Sequence, residues 1–281
     1  MLENEILKTI KLAHYFNSAF TKSQVFQYLP VKVDKKEYNI VLQEMMDCGR
    51  IKVESEFLFA DESDLNDYHP RIWSKNIFNN NKKYISLMAQ IPWIKFIGLT
   101  GANAFESCKE NDDLDIFVVT QPGRLWLTYL IIVVISKLFG IRQVFCVNYL
   151  IDENNMKIQH QSYYNAIQLL QMISVFNEQF RKKLISANEW IYDYLPNAEP
   201  GYKMNDFYLL NLSRENGGIS QNSFLNAIDS GIYNKYSRHL EAKYKFLIGK
   251  NLILERGIAK LHRDDHQNIY NEINALEKSI I

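Results

Sequence analysis

The sequence predicts an α+β protein in three consecutive parts, and three observations predict it. Residues 1–60 carry apolar positions at helical spacing in three successive segments, followed by two short runs of strand formers. Residues 94–150 read as strand, tight turn, strand, apolar helix and strand. From Gln161 onward the periodicity is nearly all helical. The expected boundaries are 1–60, 61–155 and 156–281. A chain of 281 residues holds two modest domains, or one with a substantial extension. Aromatics are plentiful and Gly and Pro few, which argues against long disordered linkers. No internal repeat is evident.

The first helix carries Ile6, Leu7, Ile10 and Ala13 on one stripe. Thr21-Lys22-Ser23-Gln24 has the form of a capping box for the second helix, which Pro30 closes. Asp34 and Glu37 open the third, whose apolar positions include Ile40, Val41, Leu42, Met45 and Met46, and Gly49 stands where it stops. Two short strands, Arg50–Val53 and Phe57–Phe59, flank a turn at Glu54–Glu56. Helix, helix, helix, hairpin is the order of a winged helix. In such a fold the third helix and wing contact nucleic acid. Here that helix mixes Lys35 and Lys36 with Glu37, Glu44 and Asp47, and the wing tip is acidic, so a packing or protein-contact role is favoured.

An acidic connector, 61–67, leads past Pro70 to a helix over roughly 71–90, with Ile72, Trp73, Ile77, Ile85, Leu87 and Met88 as apolar positions. The polar Asn79–Lys83 stretch is expected to fray or bend it, and Pro92 to end it. Strands follow at Ile94–Leu99 and around Leu114–Val119. Pro122-Gly123 then opens the helix Leu125–Ile141. Its uninterrupted apolar portion, about a dozen residues before Lys137, is short of the ~20 that span a bilayer. Lying between two strands, it is expected to be buried against a sheet. The third strand is Gln143–Leu150. Helical runs follow near 161–176, 178–194, 221–249 and 264–280, with 205–218 as the expected loop.

Chemistry concentrates in Phe96–Thr120, FIGLTGANAFESCKENDDLDIFVVT. An apolar strand enters a turn at Gly101, and a second apolar strand begins at Asp113 and Asp115. Residues two apart on a strand share a face, so the two carboxylates point together. Such a pair repels itself unless a cation lies between, and hard oxygens suit Mg²⁺. A Gly turn facing two metal-binding carboxylates is what transfer of a nucleotide from a triphosphate requires.

Gly101-Ala102, ten residues, then Asp113-Leu114-Asp115-Ile116 resembles the signature of the nucleotidyltransferase superfamily that includes DNA polymerase beta. Four segments, IPWIKFIGLTGANA, DDLDIFVVTQPGRLWLT, YYNAIQLLQM and ANEWIYDYLPNA, are together similar to bacterial nucleotidyltransferase-domain proteins with an N-terminal winged helix. The similarity covers roughly residues 1–200. It implies a winged helix at 1–60, a small mixed-sheet nucleotidyltransferase core at 61–155 and a helical C-terminal region at 156–281. It also implies Mg²⁺ or Mn²⁺ as cofactor and a nucleoside triphosphate as substrate.

Asp113 and Asp115 are then the catalytic metal ligands, and the Gly101, Ala102 and Asn103 backbone meets the phosphates. Ala102 stands where the superfamily has Ser or Gly. The superfamily's third carboxylate belongs on the next strand, Phe145-Cys146-Val147-Asn148-Tyr149; Asn148 is the polar residue in the expected place, with Asp152 further along as the alternative metal ligand. Arg124 is either a triphosphate contact or a helix-end salt bridge. Tyr163, Tyr164, Gln168 and Gln171 meet base or acceptor, or are core. In His262–His266, Asp264 as the cap of a last helix explains the residues better than a metal site does.

The expected function is metal-dependent nucleotidyl transfer to a small molecule, a sugar precursor or a protein side chain. The alternative is a catalytically impaired nucleotide-binding regulator acting through its winged helix or a partner. Lys plus Arg equals Asp plus Glu, 32 each, which removes a global electrostatic case for nucleic acid. Cys48, Cys108 and Cys146 are widely spaced and odd in number, and read as fillers in a reducing compartment rather than as a disulfide or zinc framework. The N-terminus lacks the order of a signal peptide, and no membrane partner is expected, so the expected location is cytoplasmic.

Overall fold

Local capping chemistry sets the first elements. The structure, a computed structural model, describes residues 1–60, 70–199, 206–210, 212, 222–243, 245 and 252–261. Helix α1 is Leu2–Tyr15, with Ile6, Ile10 and Ala13 buried. Strand β1, Phe20–Thr21, leads into α2, Lys22–Tyr28. Thr21 and Gln24 form the expected reciprocal box. Asp34 accepts from Lys36 N (2.8 Å) to start α3, Lys35–Asp47. Strands β2 (Lys52–Glu54) and β3 (Phe57–Phe59) form the hairpin, and β1 pairs with β3 to give a three-stranded antiparallel sheet.

Helix α4, Pro70–Ala89, runs unbroken through the polar Asn79–Lys83 stretch, because Ile77, Phe78, Ile85 and Met88 anchor it from both sides. Then come β4 (Ile94–Leu99), α5 (Gly101–Ala104), β5 (Leu114–Thr120), α6 (Leu125–Leu138) and β6 (Phe145–Asp152). Helix α6 is buried on one face only, through Leu125, Trp126, Tyr129 and Ile132. That face packs against the sheet as expected, while Val134, Leu138 and the capping Phe139 are exposed. No helix among the described residues is long and apolar enough to cross a membrane.

The C-terminal region departs from the helical expectation. After α7 (Tyr163–Gln171), the short apolar run Ile173–Phe176 leaves the helix as strand β7. Helices α8 (Glu178–Ser186), α9 (Ile191–Tyr194) and α10 (Ser223–Lys243) precede strands β8 (Leu252–Leu254) and β9 (Ile258–Leu261). The connector 61–67, most of 205–218, the expected helix at 264–280 and His262–His266 lie outside the described residues.

The result is a mixed α+β protein with one mixed six-stranded sheet, ordered β7-β4-β5-β6-β9-β8. Among the described residues only β5 and β6 pair in parallel, and α6 makes the crossover that a parallel pair needs. Alternation along β5 divides the core. Phe117 and Val119 join a cluster with α1, α2, α3, α7 and α8, while Ile116 and Val118 join α4 and α6 on the other face. The first cluster runs without a break from the N-terminal helices into the sheet.

Candidate functional site

The mouth of the β5–β6 pair is where the sheet's apolar faces give way to charge. Strand β4 ends there, and Thr100 N donates to Asp115 O (2.9 Å), closing the turn onto β5. Gly101 takes φ +58, and a Cβ there would collide with Asp115 Oδ2. Only glycine combines that backbone with that proximity. Asn103 Nδ2 donates to Asp113 O (2.9 Å), tying the turn to the residue just before β5.

Asp113 and Asp115 are both half-buried. With Cys146 they form a group whose ligand atoms all lie within 4.8 Å of one another. Burial raises the Asp113 carboxyl above its usual range, its own backbone N–H lowers it, the Asp112 charge raises it, and the Cys146 thiol lowers it by hydrogen bonding. Three hard or soft donors on one face make a site that can hold a divalent cation.

These residues line a cleft of about 1410 Å³. Its walls come from distant parts of the chain. Tyr15 and Phe16 from the end of α1 and Tyr164 from α7 form an aromatic side; Phe16 stacks on Phe105 (5.5 Å) and meets Tyr164 (5.8 Å). Lys137, Arg142, Lys243 and Lys260 bring positive charge to the same cleft. Lys260 is paired opposite Tyr149, whose ring meets Phe117 edge-on (5.4 Å), so the lysine belongs to the Asp115 face of the sheet.

The expected residues separate into those the cleft gathers and those it does not. Gly101, Ala102, Asp113 and Asp115 line it. Asn103 does not: it is 1% exposed and braces Asp113 rather than meeting a phosphate. The Gly101 N–H is taken by Gln168 Oε1 (3.3 Å). Arg124 is buried at the start of α6, where it donates to Gly123 O, Asn226 Oδ1 and Asn222 O. It clamps α6 to α10 and is not among the residues that line this cleft.

Asp152 is corrected by the register. Asp115 pairs with Cys146, whereas Asp152 pairs with Thr120 at the far end of β5, five residues on from Asp115 and about 17 Å away. It accepts from Asn154 N (3.0 Å) and Asn155 Nδ2 (2.7 Å), capping a short 3-10 turn, and cannot join the acid pair. Asn148 is the extra residue of a bulge, because Ile116 pairs with Val147 and Phe117 with Tyr149. Its side chain lies outside the described residues.

The residue that stands beside the acids is Cys146, read from the sequence as a filler. Its signal is the parallel register, which no local pattern carries. Cys108 does read as core: burial pushes its thiol up to about 12. On α7, Tyr164 and Gln168 face the cleft. Tyr163 and Gln171 are buried, donating to Tyr28 O (2.6 Å) and Ala104 O (2.9 Å) respectively. No protein-family model, curated protein or solved structure matches the chain.

Proposed function

We propose that the chain transfers a nucleotidyl group from a nucleoside triphosphate to an acceptor, with residues 1–60 a winged helix and the mixed sheet a nucleotidyltransferase core. The observation that carries this reading is the Asp113–Asp115 pair, closely set against a glycine turn at the floor of a large cleft. The donor set fits a divalent ion. When bound, Mg²⁺ or Mn²⁺ would supply charge neutralisation at the attacking and leaving oxygens.

The chain's own groups do the rest. Asp113 and Asp115 hold the cation, and Asn103 and the Thr100–Asp115 backbone bond keep them aligned with the turn. The cationic side chains Lys137, Arg142 and Lys260 favour the triphosphate and then the released pyrophosphate. Tyr15, Phe16 and Tyr164 offer ring surface on which a base can stack. The acidic Glu54–Glu56 tip keeps nucleic acid the less favoured acceptor.

A second reading, nucleotide binding with little transfer, has one observation in its favour. The described residue nearest the acid pair on β6 is a thiol, not a third carboxylate. The test is to incubate the protein with each labelled triphosphate, Mg²⁺ or Mn²⁺ and a cell extract, with Asp115→Asn as control. Label transferred by the wild type alone supports the enzyme. Metal-dependent triphosphate binding without transfer supports the second reading. Triphosphate binding that Asp115→Asn leaves unchanged in calorimetry would sink both.

A further inference from the structure

We infer that the cation site is a mixed oxygen–sulfur site: Cys146 supplies its third ligand, so the site selects a thiophilic divalent ion of the Zn²⁺ class over Mg²⁺. This rests on the acid pair being a cation site, as in the proposed function, but not on transfer taking place.

Three features of the fold converge on this thiol. Strand pairing sets Cys146 directly opposite Asp115, and opposite residues on adjacent strands share a face. Cys146 is half-buried and lines the same cleft as the acids, so it lies on the open side of the sheet rather than in the core. The three donor atoms already lie within 4.8 Å of one another. At Zn–S of about 2.3 Å and Zn–O of about 2.0–2.2 Å, two donors on one ion stand at most about 4.5 Å apart. Closing the set therefore asks only for small side-chain torsions.

All three residues are half-buried and line the cleft, so an ion can enter and a fourth position stays open to substrate. The other thiols differ: Cys108 is sealed in the core, and Cys48 is exposed at the end of α3. Chemistry then decides the metal. Mg²⁺ takes oxygen ligands and gains little from sulfur, whereas a thiolate is a soft donor that favours Zn²⁺. On binding, the Cys146 S–H bond breaks, sulfur keeps the electron pair and gives it to the ion, and the proton leaves to solvent.

The test titrates the full chain, kept reduced without added thiol, with Cd²⁺ as a spectroscopic stand-in for Zn²⁺. One ion per chain should bind with an ultraviolet sulfur-to-cadmium band that Zn²⁺ abolishes and equimolar Mg²⁺ does not. Cys146→Ser should remove the band. Asp113→Asn and Asp115→Asn should each weaken Cd²⁺ binding by more than about 10-fold, since losing a ligand costs at least what losing an outer-shell partner does. Zn²⁺, but not Mg²⁺, should protect Cys146 from iodoacetamide, read by mass spectrometry of its peptide.

A band that survives Cys146→Ser, no band in the wild type, or a band indifferent to both Asp variants would overturn the inference. Failure of the two readings is separable. Mg²⁺-dependent triphosphate binding lost in Asp115→Asn but untouched by Cys146→Ser leaves the transferase reading standing and removes this one. A three-ligand Cd²⁺ site in a protein that neither binds triphosphate nor releases pyrophosphate with any ion does the reverse.

Discussion

Gly101 shows how little freedom the site leaves its residues. An alanine there must hold φ near +58 and must displace Asp115 Oδ2. Gly101→Ala should therefore lower stability by about 1–3 kcal/mol and weaken divalent-ion binding together; wild-type ion affinity in a folded Gly101→Ala protein would refute the geometry. Asp113 makes a second prediction, with a defined sign. Its carboxyl is raised above the ordinary 3.8, first by burial, so the folded state keeps the proton while the unfolded chain has lost it. Stability thus falls as pH rises from 3.8 through the raised value. Measured without metal, the melting temperature of wild type relative to Asp113→Asn should drop across that window. A flat difference would show that Asp113 is not desolvated. The shared face of the two acids and the turn were legible in the sequence because alternation and φ preference are local properties. The nearness of Cys146, and the distance of Asp152, depend on how β6 registers against β5, and no neighbouring residue encodes that.

Among elements, the packing of α10 on α6 explains why Arg124 is not a phosphate ligand. Its guanidinium joins Gly123, Asn226 and Asn222, and Asp229 Oδ1 accepts from Leu127 N (2.7 Å) alongside. Arg124→Lys cannot reproduce the fork and leaves part-buried acceptors unmet, so it should cost about 1 kcal/mol. Its divalent-ion and triphosphate affinities should match the wild type in calorimetry; a selective loss of triphosphate affinity would return Arg124 to the site. Helices with marked caps, such as Thr21–Gln24 and Asp34, could be placed from the sequence. Strands β7, β8 and β9 could not. Four-residue apolar runs such as Ile173–Phe176 fit a buried helix or a strand equally well, and only the empty edge beside β4 decides.

Taken whole, the molecule has a core that ignores the expected boundary near residue 60. Ile6, Tyr28, Leu42 and Leu58 share one cluster with Phe96, Phe117, Ile167 and Leu184, and Ser18 Oγ donates to Phe105 O across the join (2.6 Å). Thermal unfolding should accordingly show a single transition, with equal calorimetric and van't Hoff enthalpies. Two resolved transitions, or a stable fragment lacking residues 1–60, would contradict this shared core. The sheet order has a consequence for how the chain is made. Strand β6 finds its second neighbour only in β9, roughly 100 residues later, which at about 5–20 residues per second emerges from the ribosome some 5–20 s after it. For that interval β6, carrying Tyr149, Leu150 and Ile151, presents an open strand edge. The nascent chain must be shielded there, by a chaperone or by its own provisional structure, until residues 258–261 arrive to close it.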